Sequence, residues 1–177
     1  MQFETYLSRN ARYIDAYLDS FLKGKATHPD MDRYLYTPLS AYTANGGKRH
    51  RPLICGIACE AVGGNRDACM SAAAAIEHFH TAALIHDDIA DEALLRRGKP
   101  CLHITQGVGL AINAGDLSLS LVTGTVIHDD TLDDATKIRV LKELIDMTAR
   151  TVEGQALDLG WARDERFASN AGRVTHR

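Results

Sequence analysis

The chain has 177 residues, 45% of them hydrophobic and 24% charged, with a formal net charge of −3. That length and composition suit a globular domain with a full core, and the slight negative charge excludes a general affinity for nucleic acid. The four cysteines form no CxxC pair and no secretory pattern opens the chain, so reduced thiols and a cytoplasmic location are expected.

In chain order, Phe3, Leu7, Ile14, Tyr17, Leu18, Phe21 and Leu22 recur at helical spacing, and Gly24 with His28-Pro29 ends that helix. Thr37-Pro38 predicts an N-cap followed by proline at the first helical position, and that short helix is expected to stop at Gly46-Gly47. The turn Gly46-Gly47-Lys48-Arg49-His50-Arg51-Pro52 then places four cationic or titratable side chains at a helix start. A flexible glycine turn entering a helix N-terminus beside Lys and Arg is a good anion site; the alternative is a solvated basic turn. Leu53, Ile54, Ile57, Ala58, Ala61 and Val62 form the next helix, ended by Gly63-Gly64, with Cys55 and Cys59 on one face as small buried thiols.

Asn65 is placed to cap a long alanine-rich helix from about Arg66 to Asp91. Asp87 and Asp91 share one face of it, with Ala83 or Leu84 and then His80 behind them, while Asp88 is turned about 100° away. Carboxylates at a helix C-terminus oppose its dipole, so a cation is expected to compensate them. A hard divalent ion such as Mg2+ suits oxygen ligands and bridges to a substrate phosphate. Arg96 and Arg97 follow and can grip such a phosphate in bidentate fashion. His80 alone reads equally as a core histidine.

Gly98-Lys99-Pro100 is a break, and a further helix is expected from about Gly107 to His128, with Asn113 and Asp116 inside it. The run Ile104–Ile127 is weakly charged but rich in Gly, Ser, Thr and Asn. A membrane span needs about 20 predominantly apolar residues, so this run is read as a buried helix and no transmembrane segment is expected. The aspartates between Asp129 and Asp134 are read as a solvated, capping turn. Ile138, Leu141, Ile145, Thr148, Val152, Gln155 and Leu159 predict a last helix with Gln155 on its buried face. No strand alternation of useful length occurs, so the chain is read as all-α, with one domain over 1–167 and an irregular tail over 168–177.

Five motifs match, in order, those of the trans-isoprenyl diphosphate synthases (polyprenyl synthetases), the family of the farnesyl and geranylgeranyl diphosphate synthases. GGKRHRP at 46–52 resembles the family's GGKRxRP turn, and HTAALIHDDIAD at 80–91 its first aspartate-rich motif, DDxxD. RRGKP at 96–100, AINAGD at 111–116 and EGQALDL at 153–159 also correspond. The paired cationic motifs distinguish this pattern from DDxxD terpene cyclases. The resemblance implies an isoprenoid synthase-type helical bundle around a central cavity, here its N-terminal portion, and a homodimer. It implies a Mg2+-dependent prenyltransferase that condenses isopentenyl diphosphate with an allylic diphosphate into a longer trans chain. Lys48, Arg51, His80 and Arg97 would bind isopentenyl diphosphate. Arg96 and Gln155 would face the allylic diphosphate, and Asp87 and Asp91 would hold metal with Asp88 as a supporting or alternate ligand.

Ala82 and Ala83, five and four residues before Asp87, correspond to the positions beside which the family's growing chain runs. Both are small, which favours geranylgeranyl or longer products, and Ala82→Phe is expected to shorten the product. The pair Cys55 and Cys59 resembles a CxxxC linked to subunit pairing in some plant members. The family's second aspartate-rich motif has no match after Leu159; Asp164-Glu165 is not a DDxxD. The alternative expectation is therefore a non-catalytic subunit or fragment that keeps a partial diphosphate and metal site.

Overall fold

A computed structural model describes residues 3–164, with side chains described from residue 10 onward. The expected tail over 168–177 lies outside the described residues. Eight α-helical segments follow one another: α1 Phe3–Asp19, α2 Pro29–Met31, α3 Thr37–Ala44, α4 His50–Ala61, α5 Met70–Ala90, α6 Leu102–Gln106, α7 Val108–Ile127 and α8 Asp134–Arg163. The all-α reading holds. The chain divides into two compact units, 1–141 and 142–177, and the division falls within α8.

The first unit is built on the pairing of α5 with α7. Small side chains make it close: Ala73, Ala74, Ala75 and Ala82 on α5 and Ala111, Ala114 and Ser118 on α7 are at most 1% exposed. Gly115 of α7 lies directly against the His86 ring of α5, where a Cβ would collide with Nε2. The Ser118 hydroxyl donates to the carbonyl of His78 at 2.9 Å, satisfying both groups in the core. Ile85, Leu22, Leu39, Leu102, Ala111 and Ala114 form one apolar cluster, and Ile14, Leu18, Met70 and Ala74 a second under α1. By length and composition α7 could cross a membrane. Its buried side, from Ala111 to Val126, packs on α5 with Ser118 and Thr125 enclosed, while Asn113 and Asp116 stay exposed, which is the behaviour expected of a core helix.

Four departures from the sequence reading have local causes. First, Thr37 is not an N-cap, because it lies inside a continuous helical run. His28 Nδ1 caps α2 by accepting from the Asp30 N–H at 3.1 Å, and a π-helical turn over Asp32–Tyr36 carries the chain into α3. Pro38 has no N–H to give and its ring would meet the carbonyl four residues back; the wider i→i−5 turn relieves both. Second, Leu95–Arg96 pairs with Lys99–Pro100 in a two-stranded hairpin, too short to leave an alternating pattern. Third, the short helix α6 fills the stretch between the Gly98-Lys99-Pro100 break and α7, where the sequence reading places no helix of its own. Fourth, the α8 stripe read as buried is largely exposed: Ile138 54%, Ile145 57%, Val152 60% and Leu159 41%, with Gln155 half-buried. Periodicity identifies the face that seeks apolar cover, not whether these residues supply it.

The caps agree with expectation. Asn65 Oδ1 accepts from the Asp67 N–H at 3.0 Å, opening a 3-10 turn that runs into α5. Asp129 and Asp133 accept from the N–H groups of Thr131 and Thr136 at 2.9 and 2.7 Å, as the capping reading of the acidic turn requires. Cys55, Cys59 and Cys69 meet between α4 and the start of α5, only partly buried rather than sealed in the core.

Candidate diphosphate and metal site

The basic turn is shaped by the one arginine that does not face out. Arg49 is 5% exposed and adopts a left-handed backbone, φ 48°. Its Nε donates to Asp15 at 2.6 Å, one Nη to Glu77 at 2.8 Å, and the other Nη to the carbonyl of Thr43 at 2.6 Å. One guanidinium therefore ties the turn to α1, α5 and the end of α3. This corrects the reading of four neighbouring cationic side chains as one anion cluster: Arg49 is a structural charge, neutralised at buried Glu77. With Arg49 drawn inward, Lys48 and Arg51 remain exposed.

A cleft of about 450 Å³ opens beside this turn, lined by residues 46–51 with Glu77, His80 and Arg97. Lys48, Arg51, His80 and Arg97, the four residues assigned together from sequence, all line it. An Arg51 Nη stands 3.3 Å from His80 Nε2. Arg97 donates to the carbonyls of Gly46 and, at 3.3 Å, Asn45. Gly47 has φ 120°, and a Cβ there would lie 2.9 Å from the Arg97 guanidinium and 3.1 Å from that of Arg49. Glycine is therefore required both by backbone angle and by the two arginines crossing over it. Burial, and next the charge of Arg51, hold His80 below the usual imidazole range, so the cleft carries its positive charge on Lys48, Arg51 and Arg97.

The hairpin explains how adjacent arginines serve different places. Arg97 and Gly98 both have positive φ, 53° and 76°, as a two-residue turn with right-handed twist demands. Arg97 thus swings to the glycine turn, while Arg96, on the strand, points the other way to Asp88. Arg96 Nε donates to Asp88 Oδ1 at 2.7 Å, a second nitrogen donates to the same oxygen, and the Tyr42 hydroxyl donates to Oδ2 at 2.8 Å. Asp88 is 1% exposed. Both of its oxygens are occupied by protein donors, which corrects its reading as an alternate metal ligand. Burial, then the bond to Asp88, pushes the Tyr42 phenol well above its ordinary range.

Asp87 and Asp91 are left at the end of α5. Burial first, and the charge of Asp91 second, raise the Asp87 carboxyl. Two carboxylates that crowd each other at the negative end of a helix are a suitable pair of hard oxygen donors for a divalent cation that draws its other ligands from water and phosphate. Among the described residues no group of three or more His, Cys, Asp or Glu side chains is arranged to hold a metal by itself. Ala83 is half-buried on the face of His80 and Asp87, whereas Ala82 has no exposure. A phenylalanine at 82 would have to displace its neighbours, so of the two positions Ala83 is the one with room beside it. Gln155 belongs to the second compact unit. Sequence reasoning missed Tyr42, Glu77 and Asp15; each is an ordinary helical residue whose role comes only from its partner.

An all-α chain with a cationic cleft beside α5 and a pair of carboxylates at the C-terminal end of the same helix has donor sets suited to a phosphate group and a hard divalent ion. The polyprenyl synthetase family profile matches residues 32–174, and the chain belongs to that family. It is 38% identical over 167 residues to geranylgeranyl pyrophosphate synthase 3, chloroplastic, of Arabidopsis thaliana, a match covering 91% of this chain and 45% of that protein. It is 41% identical over 116 residues to the short chain isoprenyl diphosphate synthase of Methanothermobacter thermautotrophicus, covering 66% and 35%. The crystal structure of geranylgeranyl pyrophosphate synthetase from Pyrococcus horikoshii superposes with a TM-score of 0.82 at 35% identity, covering 90% of this chain and 47% of that one. The chain thus spans about half the length of the relatives it matches.

Proposed function

We propose that this chain is the diphosphate-binding part of a trans-prenyltransferase that joins isopentenyl diphosphate to an allylic diphosphate. The observation that carries the reading is the single cleft lined by Lys48, Arg51, His80 and Arg97. Three permanent cations and a neutral imidazole suit a diphosphate: the cations supply charge, and His80 adds one N–H donor without a further desolvated charge. In this reading the cleft fixes isopentenyl diphosphate with its double bond directed along α5. Arg96 grips the allylic diphosphate. The allylic C–O bond breaks with its electron pair leaving on the diphosphate, the isopentenyl double bond forms the new C–C bond, and one proton is lost. Mg2+ held by Asp87 and Asp91 would neutralise charge on the departing diphosphate. Small side chains at Ala82 and Ala83 favour a product of geranylgeranyl length or longer, made by a cytoplasmic homodimer.

A second reading, a half-site that binds diphosphate without turnover, is favoured by one observation: among the described residues no third metal-ligating side chain joins Asp87 and Asp91. Labelled isopentenyl diphosphate incubated with geranyl diphosphate, Mg2+ and the 177-residue chain separates the two. Elongated product that disappears in Asp87→Ala supports the transferase. Mg2+-dependent binding without product supports the half-site, and neither binding nor product contradicts both.

A further inference from the structure

Tyr42 stands outside every motif, yet its hydroxyl reaches the buried carboxylate of Asp88. Asp88 has two oxygens. Arg96 holds one through two of its nitrogens, and the Tyr42 hydroxyl holds the other at 2.8 Å. The buried Cys101 thiol is near the same carboxylate; burial, then its interaction with Asp88, pushes that thiol up to about 11. Three residues on from Tyr42, and so on the same helical face, Asn45 Nδ2 donates to the backbone carbonyl of Arg96 at 3.3 Å. The end of α3 therefore grips Arg96 twice, at its main chain through Asn45 and at its guanidinium through Tyr42 and Asp88. Among the described residues the third guanidinium nitrogen, Nη1, makes no hydrogen bond, and it is left to meet a ligand oxygen.

We propose that Tyr42 is a positioning residue for the allylic diphosphate: its hydroxyl fixes the Asp88 carboxylate, and through it the orientation of Arg96. This rests on the reading of Arg96 as an allylic diphosphate ligand. The physical reason is preorganisation. A free arginine loses much rotamer freedom when it clamps a phosphate, and a side chain already held in place loses less, so more of the contact energy appears as affinity. An Asp88 held only by Arg96 could turn with it. An Asp88 also held by Tyr42 cannot, because turning would strip a buried oxygen of its donor. Tyr42 thereby acts on the ligand without touching it.

Tyr42→Phe removes the hydroxyl and keeps the ring that packs on the core. Binding of geranyl diphosphate with Mg2+, and separately of isopentenyl diphosphate, is measured by calorimetry for the chain, Tyr42→Phe, Arg96→Lys and the double variant. Tyr42→Phe is expected to weaken geranyl diphosphate about ten-fold, leave isopentenyl diphosphate unchanged, and cost nothing further in the Arg96→Lys background. The Arg96 Nε–H resonance, identified by its absence in Arg96→Lys, is expected to be sharp in the parent chain and broadened in Tyr42→Phe. Equal loss of both ligands, or additive losses in the double variant, overturns the proposal in favour of a general packing role. If the parent chain binds no geranyl diphosphate, the allylic reading of Arg96 fails on its own. An unchanged Nε–H resonance in Tyr42→Phe then overturns the positioning claim separately.

Discussion

The basic cleft and the aspartate end of α5 share one helix and are organised in the same way with opposite charge. In the basic turn one cation, Arg49, is withdrawn into the interior and neutralised by Glu77 and Asp15, while Lys48 and Arg51 stay at the surface. At the aspartate end one anion, Asp88, is withdrawn and neutralised by Arg96, while Asp87 and Asp91 stay accessible. Each cluster gives one member to the scaffold and presents the rest. A row of like charges in a sequence is therefore not a row of equivalent ligands. The buried member sets the geometry, and in the proposed reading its accessible neighbours meet the ligand.

The largest effect expected from that division is at Arg49. Arg49→Met leaves Glu77 buried without its partner and should cost roughly 3–5 kcal/mol in urea unfolding. Arg51→Met, two residues away and exposed, should stay within about 0.5 kcal/mol. Adding Glu77→Leu to Arg49→Met should recover most of the loss. Similar costs for Arg49→Met and Arg51→Met would erase the distinction between scaffold and ligand.

The next effect comes from acid. His78 is buried in the α5–α7 pairing, edge-on to Phe21 with centroids 5.6 Å apart, and its Nε2 has no hydrogen-bond partner. Burial lowers it from 6.5 to about 4. Its folded value lies below its unfolded one, so the unfolded chain binds the extra proton first. Stability present at neutral pH is then lost as pH falls from about 6.5 to about 4, on the order of 3 kcal/mol. His78→Leu should flatten that part of the stability profile; an unchanged acid limb would place the titration elsewhere. Gly115→Ala follows, at roughly 1–3 kcal/mol, because the added methyl meets the His86 ring. It should reduce stability while leaving the relative affinities of the two ends alike.

The smallest effect sharpens the comparison at its ligand side. His80 is held neutral by burial and by Arg51. A bound diphosphate reverses the local field and should raise the His80 value, so binding takes up a proton as pH falls toward the ordinary imidazole range. Chemical shifts of the His80 ring, followed against pH with and without isopentenyl diphosphate, check this. An unmoved titration would remove His80 from the site.

Much of the site was legible because its chemistry is local in sequence. The turn at 46–52, the four-residue spacing of Asp87 and Asp91, and the adjacent arginines each show their chemistry within one short stretch. What was not legible depends on partners far along the chain. Asp15 lies 34 residues from Arg49, and Tyr42 lies 46 residues from Asp88. Nothing in their own neighbourhoods marks them. The exposed stripe on α8 shows the opposite limit: its period was read correctly, but period alone does not say what covers the stripe. The hairpin escaped notice because two-residue strands carry no alternation, although Arg97-Gly98 contains the glycine such turns favour.

The most direct test is a calorimetric titration of the 177-residue chain with isopentenyl diphosphate, repeated with Lys48→Met and Arg51→Met. Saturable binding weakened roughly ten-fold or more by either substitution, about 1.4 kcal/mol or more, with melting temperature unchanged, is the predicted result. Equal affinity in all three proteins, or no saturable binding to the parent chain, would contradict the assignment of the cleft.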